Sequence, residues 1–240
     1  MSVDHLIAKL RRRDDIAPSE AQYLQGLLDP PRRVSRGAEI VRAGERPGHS
    51  TLLVDGFCSR IVTGPTGARQ ITQVNIGGDF LDLHSFLMKQ MDHGCVALTD
   101  CTIMAAPHAK LRRMTDEQPH LTRLLWLETV IDAAIHRQWL YGLGRLEAQA
   151  RTAHLMCELA LRSRAAGLGG PEGFPMPFTQ PELADILGIT PVHANRSMMT
   201  LRRAGLIERT GMQVIIIDWD GLAELGEFDP AYLRLYREPV

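Results

Sequence analysis

Asn195 and Arg196 stand side by side in the stretch FTQPELADILGITPVHANRSMMTLRRAGLIERTG, which begins at Phe178. These are base-reading side chains: an asparagine amide pairs bidentately with adenine, and an arginine fork with guanine, in the major groove of DNA. Between positions 190 and 211 four arginines, Arg196, Arg202, Arg203 and Arg209, face a single acid, Glu208, although the net charge of the chain is −1. Any nucleic-acid signal is therefore local and absent from the global charge. Val192, His193 and Met199 share the outward face with these residues.

Such side chains read DNA only if a rigid element presents them. Thr179-Gln180-Pro181-Glu182 has the form of a capping box, in which the threonine and glutamate side chains satisfy free amides at a helix start. Leu183, Ile186 and Leu187 give this helix an inner face, and Gly188 can end it at positive φ. Thr190 caps a second helix, with Pro191 in its first position. Ala194, Met198 and Leu201 face inward, and Gly205 stops it. Two helices joined by a short glycine turn make a helix-turn-helix. The following GLIERTGMQVIII reads as strand, tight turn and strand, the outline of a wing. An ordinary helical hairpin has the same caps; the wing, the basic bias and an upstream helix with dimer spacing favour DNA binding. On this reading Thr179, Thr190, Pro191, Val192, His193, Asn195, Arg196, Met199, Arg202 and Arg203 form the DNA-binding surface.

Upstream, positions 3–28 read as two short helices broken near Pro18. From about 32 to 107 short strand-like runs alternate with glycine turns: STLLV, Asp55-Gly56, FCSRIVT, GPTG, ARQITQVNI and Gly77-Gly78. Asp-Gly between alternating runs is a hairpin signal, and strands at this spacing form a small antiparallel roll. Positions 119–141 read as one long helix. Leu124, Leu127, Ile131 and Ala134, continued by Gln138 and Tyr141, follow a spacing of about 3.5 residues, which predicts a dimer seam. Gly142 and Gly144 are expected to break the helix as a hinge. The fold class is thus α+β, with an antiparallel sensor roll and helices over 1–118, a dimerisation helix and hinge over 119–144, and a winged helix-turn-helix over 145–240. Cys58, Cys95, Cys101 and Cys157 lack zinc-finger spacing and read as reduced and buried. The N-terminus MSVDHLIAKLRRRDD has no apolar core of the signal-peptide kind, and no run approaches about 18 apolar residues, so a cytoplasmic protein with no membrane contact is expected.

At this point the sequence resembles the Crp–Fnr family of bacterial transcription regulators over nearly its whole length. VRAGERPGHSTLLVDGFCSRIV resembles the start of the family's sensor roll, GGDFLDLHSF its Gly-Asp/Glu-Phe element, and TQPELADILGITPVHANRSMMTLRRAGLI its DNA-binding signature. The resemblance implies a cyclic-nucleotide-binding-like roll, a long dimerisation helix and a winged helix. It implies homodimers on two-fold symmetric double-stranded DNA, with RNA polymerase as a further partner. Arg196 falls on the family's base-reading arginine. The glutamate many members carry shortly before it falls near Val192, which cannot accept a hydrogen bond from cytosine, so the operator sequence is left open.

Cyclic-nucleotide members hold the ribose with a glutamate and the phosphate with an Arg-Ser pair. Those places fall on Leu83, His93 and Gly94. Leucine cannot bond a hydroxyl, and a histidine lacks the guanidinium fork, so cyclic AMP is not expected as effector. The cysteine cluster of the iron–sulfur members is missing, since no cysteine precedes Cys58. LHS at 83–85 resembles the stretch with the haem-ligating histidine of carbon-monoxide sensors, so haem at His84 stays open beside the favoured packed, ligand-free turn. The stretch LHSFLMKQMDHGCVAL would also suit a soft metal or an apolar ligand. The cofactor is therefore unknown, and Leu83, His84, His93 and Gly94 mark the candidate effector pocket. No phosphate loop, nucleophile motif or metal spacing marks an enzyme. The competing reading is a ligand- or haem/redox-sensing module whose winged helix mediates protein contacts.

Overall fold

The computed structural model describes residues 3–239. Two short helices, α1 (Asp4–Arg11) and α2 (Pro18–Leu27), lead into the roll, with Pro18 opening α2. Seven strands follow: β1 (Arg32–Val34), β2 (Glu39–Val41), β3 (His49–Asp55), β4 (Phe57–Thr63), β5 (Arg69–Ile76), β6 (Gly94–Ala97) and β7 (Cys101–Pro107). They form two antiparallel sheets, ordered β1-β7-β3 and β2-β6-β4-β5. A short helix, α3 (Ser85–Met88), lies in the connection from β5 to β6. The roll's interior is apolar, with Leu53, Cys58, Leu81, Cys95 and Ile103 among its buried residues. All four cysteines are buried and free, as their spacing predicts. Gly78 permits a close approach: at φ +92°, a Cβ there would meet the backbone of His5 at 2.8 Å, so the Gly77-Gly78 pair lets α1 seat against the roll.

Helix α4 (His108–Glu117) precedes the long helix α5 (Pro119–Arg145) and α6 (Ala148–Ala165). The break expected at Gly142 and Gly144 does not occur there. α5 runs through both and ends where Leu146 turns extended, at φ −89° and ψ 144°. A helical glycine costs only about 1 kcal/mol, and Gly142 is buried with Arg151 Cγ 3.6 Å from where its Cβ would stand. The helix absorbs both glycines, and the connection shifts to Leu146–Glu147.

The C-terminal region holds β8 (Phe174–Pro175), α7 (Gln180–Leu187), α8 (Pro191–Arg203), β9 (Ile207–Thr210), β10 (Gln213–Ile216), α9 (Trp219–Leu225) and a 3-10 turn (Pro230–Leu233). Its core is continuous with the outer face of the roll: Phe57, Ile71, Val74 and Ile76 join Ile131 and Ile135 of α5 and Leu183, Met198 and Leu201 of the helix pair. Phe57 meets Phe178 edge to face at 5.7 Å. Among the described residues no helix is long and apolar enough to cross a membrane.

Candidate nucleic-acid interface

The capping pattern forms as its residues require. Thr179 Oγ1 accepts from the Glu182 amide at 3.3 Å, and Glu182 Oε2 accepts from the Thr179 amide at 2.7 Å. Gly188 takes φ 63° and ψ 40°, ending α7 in the left-handed region. Thr190 Oγ1 accepts from the His193 amide at 3.3 Å, and Pro191 opens α8. Ala194, Met198 and Leu201 are 0%, 3% and 0% exposed, which fixes the rotation of α8. The opposite face, with Val192, His193, Asn195, Arg196, Met199, Arg202 and Arg203, is exposed. None of the ion pairs among the described residues involves Arg196, Arg202 or Arg203. Three guanidinium groups are left with forks free for an anion or a base edge. Thr179 is exposed at the start of α7, the other helix of the pair, and caps it.

The wing is a three-stranded sheet ordered β8-β10-β9. Thr210 pairs with Gln213, so Gly211 and Met212 form a two-residue turn, with Gly211 at φ 60° and Met212 exposed at the tip. A helix-turn-helix with exposed arginines and a wing beside it can enter a major groove and touch the flanking backbone.

Residues 31–118 match the cyclic nucleotide-binding domain and residues 150–225 the Crp-like helix-turn-helix domain. The chain belongs to the Crp–Fnr family. A probable transcriptional activator of Rhizobium leguminosarum bv. viciae is 27% identical over 81% of this chain and 80% of its own length. The transcriptional activator protein FnrL of Cereibacter sphaeroides is also 27% identical, over 80% and 79%. The fold is that of FixK2 from Bradyrhizobium japonicum, with a TM-score of 0.74 at 20% identity over 82% of this chain and 96% of that one. The protein is thus a DNA-binding transcription regulator and not an enzyme, as its relatives are.

In this Crp–Fnr chain the long helix does not present the stripe expected of it. Leu124 is 0% and Ile131 5% exposed, each in a core of the same chain, and Leu127 packs beside the second of these. Ala134 and Gln138 are half-buried beside Asp229, Ala231 and Arg234 of the C-terminal segment, and Tyr141 donates to Glu227 at 2.8 Å. Of the expected dimer seam Leu124, Leu127, Ile131, Ala134, Gln138 and Tyr141, Leu124 and Ile131 are taken up by the chain's own cores, whereas Ala134 and Gln138 border an open groove and Tyr141 is 46% exposed. Leu124 packs with α1, α2 and the roll, and Ile131 with the roll and the C-terminal region. A second stripe faces solvent: Trp126 is 69%, Val130 48% and Leu140 70% exposed, with exposed Ala133 and Arg137 between them. Positions 126, 130, 133, 137, 140 and 144 alternate steps of four and three, a heptad seam.

The sensor residues lie together at the end of the roll. Leu83 and His84 are half-buried before α3, and His93 and Gly94 are buried where β6 begins. The His84 and His93 rings stand 5.1 Å apart. Burial, and then the Arg60 guanidinium, holds His84 at about 4; the same causes lower His93. Leu83 and His84 also border an apolar groove against Leu125 and Trp126 of α5. His84 lines that groove, and its Nε2 stands 4.0 Å from Asp92.

Arg60 escaped the sequence reading because nothing in FCSRIVT marks a strand arginine as inward. It is 3% exposed. Its fork donates to Leu81 O at 2.8 Å, Gln73 Oε1 at 2.6 Å, Phe80 O at 3.0 Å and Asp132 Oδ2 of α5 at 2.6 Å. Two further ion pairs clamp α7 to the roll. Arg36 donates to both Glu182 oxygens at 2.6 and 2.7 Å, and Arg69 to Asp185 at 2.5 Å.

Proposed function

We propose that the chain regulates transcription as a homodimer on a two-fold symmetric site in double-stranded DNA. The observation that carries this is the free basic face of α8, held outward by a fully buried opposite face. On this reading Arg196 and Asn195 contact base edges, while Arg202 and Arg203 contact phosphates. Val192, His193 and Met199 offer apolar or weakly polar contacts, and the capped start of α8 at Thr190 and Pro191 approaches the backbone. The dimer forms along Trp126, Val130, Ala133, Arg137 and Leu140, which places the sensor region up to 118 and the DNA-binding region after the Leu146–Glu147 connection on either end of α5. RNA polymerase is a further partner on this reading, in keeping with the activator names of the relatives, and the protein works in the cytoplasm beside its DNA.

The signal enters through the roll, and it is not cyclic AMP. Supporting this, the roll's buried Arg60 already has its fork on four protein acceptors, and Leu83 and His93 stand where the nucleotide's ribose and phosphate partners are expected. A buried cyclic phosphate without a cation is strongly unfavourable. Selection of binding sequences from a random DNA pool tests the main reading. The expected product is an inverted repeat whose half-sites lie about 34 Å apart, centre to centre; enrichment of no sequence refutes it. Calorimetry with cyclic AMP tests the second part, and low-micromolar binding refutes it.

A further inference from the structure

The connection from β5 to β6 brings three metal-ligating side chains to one place. His84 precedes α3, and Asp92 and His93 precede β6. One donor atom from each lies within 4.8 Å of the others. His93 Nδ1 and Asp92 Oδ1 are 2.7 Å apart, and the His84 Nε2 to Asp92 Oδ1 distance is 4.0 Å. The second nitrogen of His93, Nε2, is buried and has no hydrogen-bond partner, in a residue only 8% exposed. A buried ring nitrogen with nothing to bond is unfavourable unless something fills the place.

We propose that His84, Asp92 and His93 bind a divalent first-row transition-metal ion. Two imidazoles and one carboxylate are the donor set that such ions favour over calcium or magnesium. The ligating form of imidazole is neutral, and burial keeps both rings so. Bonds of about 2.1 Å in a tetrahedral site require donors roughly 3.4 Å apart, so on binding His84, now 4.0 Å from Asp92, moves inward, and the His93–Asp92 pair, now 2.7 Å apart, opens to face the ion. His84 and the 65%-exposed Asp92 have the freedom to do so. The Arg60 guanidinium opposes a cation here, and Asp132 already pairs with it at 2.6 Å. Cys95 is committed elsewhere, its thiol donating to Leu81 O at 3.8 Å.

The ion joins the two ends of the α3 connection. Between them lie Leu87 and Met88, 76% and 53% exposed, which border the groove against Trp126 on α5. Metal binding thus orders the segment 84–93 beside the exposed stripe of α5. This site is independent of the DNA-binding reading, and its failure leaves that reading intact.

The test uses the full chain stripped with a chelator and titrated with Zn2+ or Co2+ in competition with a chromogenic chelator. One equivalent is expected to bind. Affinity falls about 10–100-fold in Asp92→Asn and further in His84→Ala and His93→Ala. Asp92 is exposed, so its variant folds as the parent does, and circular dichroism confirms each fold. Bound Co2+ shows ligand-field bands without sulfur-to-metal charge transfer. Hydrogen exchange slows over 84–93 on loading. No binding tighter than about 10 μM, or one equivalent retained at unchanged affinity in all three variants, overturns the proposal. So does a haem spectrum of the purified protein that is lost in His84→Ala.

Discussion

Replacing Leu140 by alanine separates the two stripes of α5. Leu140 is 70% exposed in the single chain, whereas Ile131, one expected seam residue, is 5% exposed. Fully burying a leucine is worth about 1.5–3 kcal/mol. With about two-thirds of Leu140 still to be covered, a dimer along this stripe gains about 1–2 kcal/mol per copy from it. A two-fold interface uses each residue twice, so Leu140→Ala weakens the dimer by about 2–4 kcal/mol, or roughly 30- to 1,000-fold in dissociation constant. The fold of each subunit changes little, since an exposed side chain alters stability by about 0.5 kcal/mol or less. Ile131→Ala behaves in the opposite way. It opens a cavity in the subunit core at a cost of about 2–5 kcal/mol of stability, with little change in association. Sedimentation across a concentration series gives the dimer constant, and denaturant unfolding at fixed concentration gives the stability. If Leu140→Ala leaves the dimer intact while Ile131→Ala splits it without loss of stability, the outward stripe is not the interface.

Arg196→Ala loses about 1–3 kcal/mol on the specific site and flattens discrimination at one base pair; unchanged preference among operator variants in a competition gel shift refutes this. Arg202→Ala and Arg203→Ala weaken binding to all sequences alike and each reduce the salt slope by about 1, measured by anisotropy at several salt concentrations. Arg36 and Arg69 are 41% and 40% exposed, so Arg69→Ala costs only about 0.2–1 kcal/mol overall, yet it speeds amide exchange in α7 before exchange in the roll. For Asp79, burial alone would raise the carboxyl, but Lys9 at 2.5 Å and Arg162 at 2.8 Å hold it at about 2. Its folded value lies below its unfolded value of about 3.9, so its contribution is complete above about pH 5 and is lost as pH falls through 2, at up to about 2 kcal/mol. Denaturant unfolding shows a smaller loss between pH 5 and 2.5 in Asp79→Asn than in the parent.

Local punctuation made the DNA-binding region legible. Thr179, Glu182, Gly188, Thr190, Pro191 and Gly205 each act within one helical turn, and each takes the conformation its chemistry dictates. The strands of the roll were legible for the same reason: Asp55-Gly56 permits only a tight turn. What the sequence did not reveal depends on distant parts of the chain. Which face of α5 is covered depends on α1, α2 and the roll at Leu124 and on the roll and the C-terminal region at Ile131, up to about 100 positions away, and periodicity carries no trace of them. Gly142 and Gly144 read as a hinge because glycine is a poor helix former, but at about 1 kcal/mol each the cost is small enough for the long helix to run through both. Arg60 looks like any strand arginine until Asp132 and Gln73 are seen beside it. His84 and the adjacent pair Asp92-His93 were legible as residue types, and only the fold brings His84 to that pair.

The charges also determine which parts of the chain move together. Asp132 accepts from Arg60 and from Gln73 at 2.9 Å, and Glu128 pairs with Lys9 at 2.8 Å and with Arg13. Glu158, 0% exposed, accepts from Trp139, Tyr232 and Arg162. Removing one partner of a buried pair costs about 3–5 kcal/mol, so α1, the roll, α5 and α6 behave as one body. The contact between roll and α7 is of another kind. Its ion pairs, Arg36–Glu182 and Arg69–Asp185, are half-exposed and worth about 0.2–1 kcal/mol each, but Gln70 also donates to Asp185 O at 2.6 Å, and Leu183, Ile186 and Leu187 share one buried core with Phe57 and Ile71 of the roll. A ligand shifts an equilibrium only by its differential affinity for the two states, typically a few kcal/mol. That amount is too small to pull α5 from the roll. α7 is fixed to β5 by a shared apolar core and by Gln70 on the Asp185 and Ile186 carbonyls, so a shift of β5 is passed directly to the helix pair that rests on it.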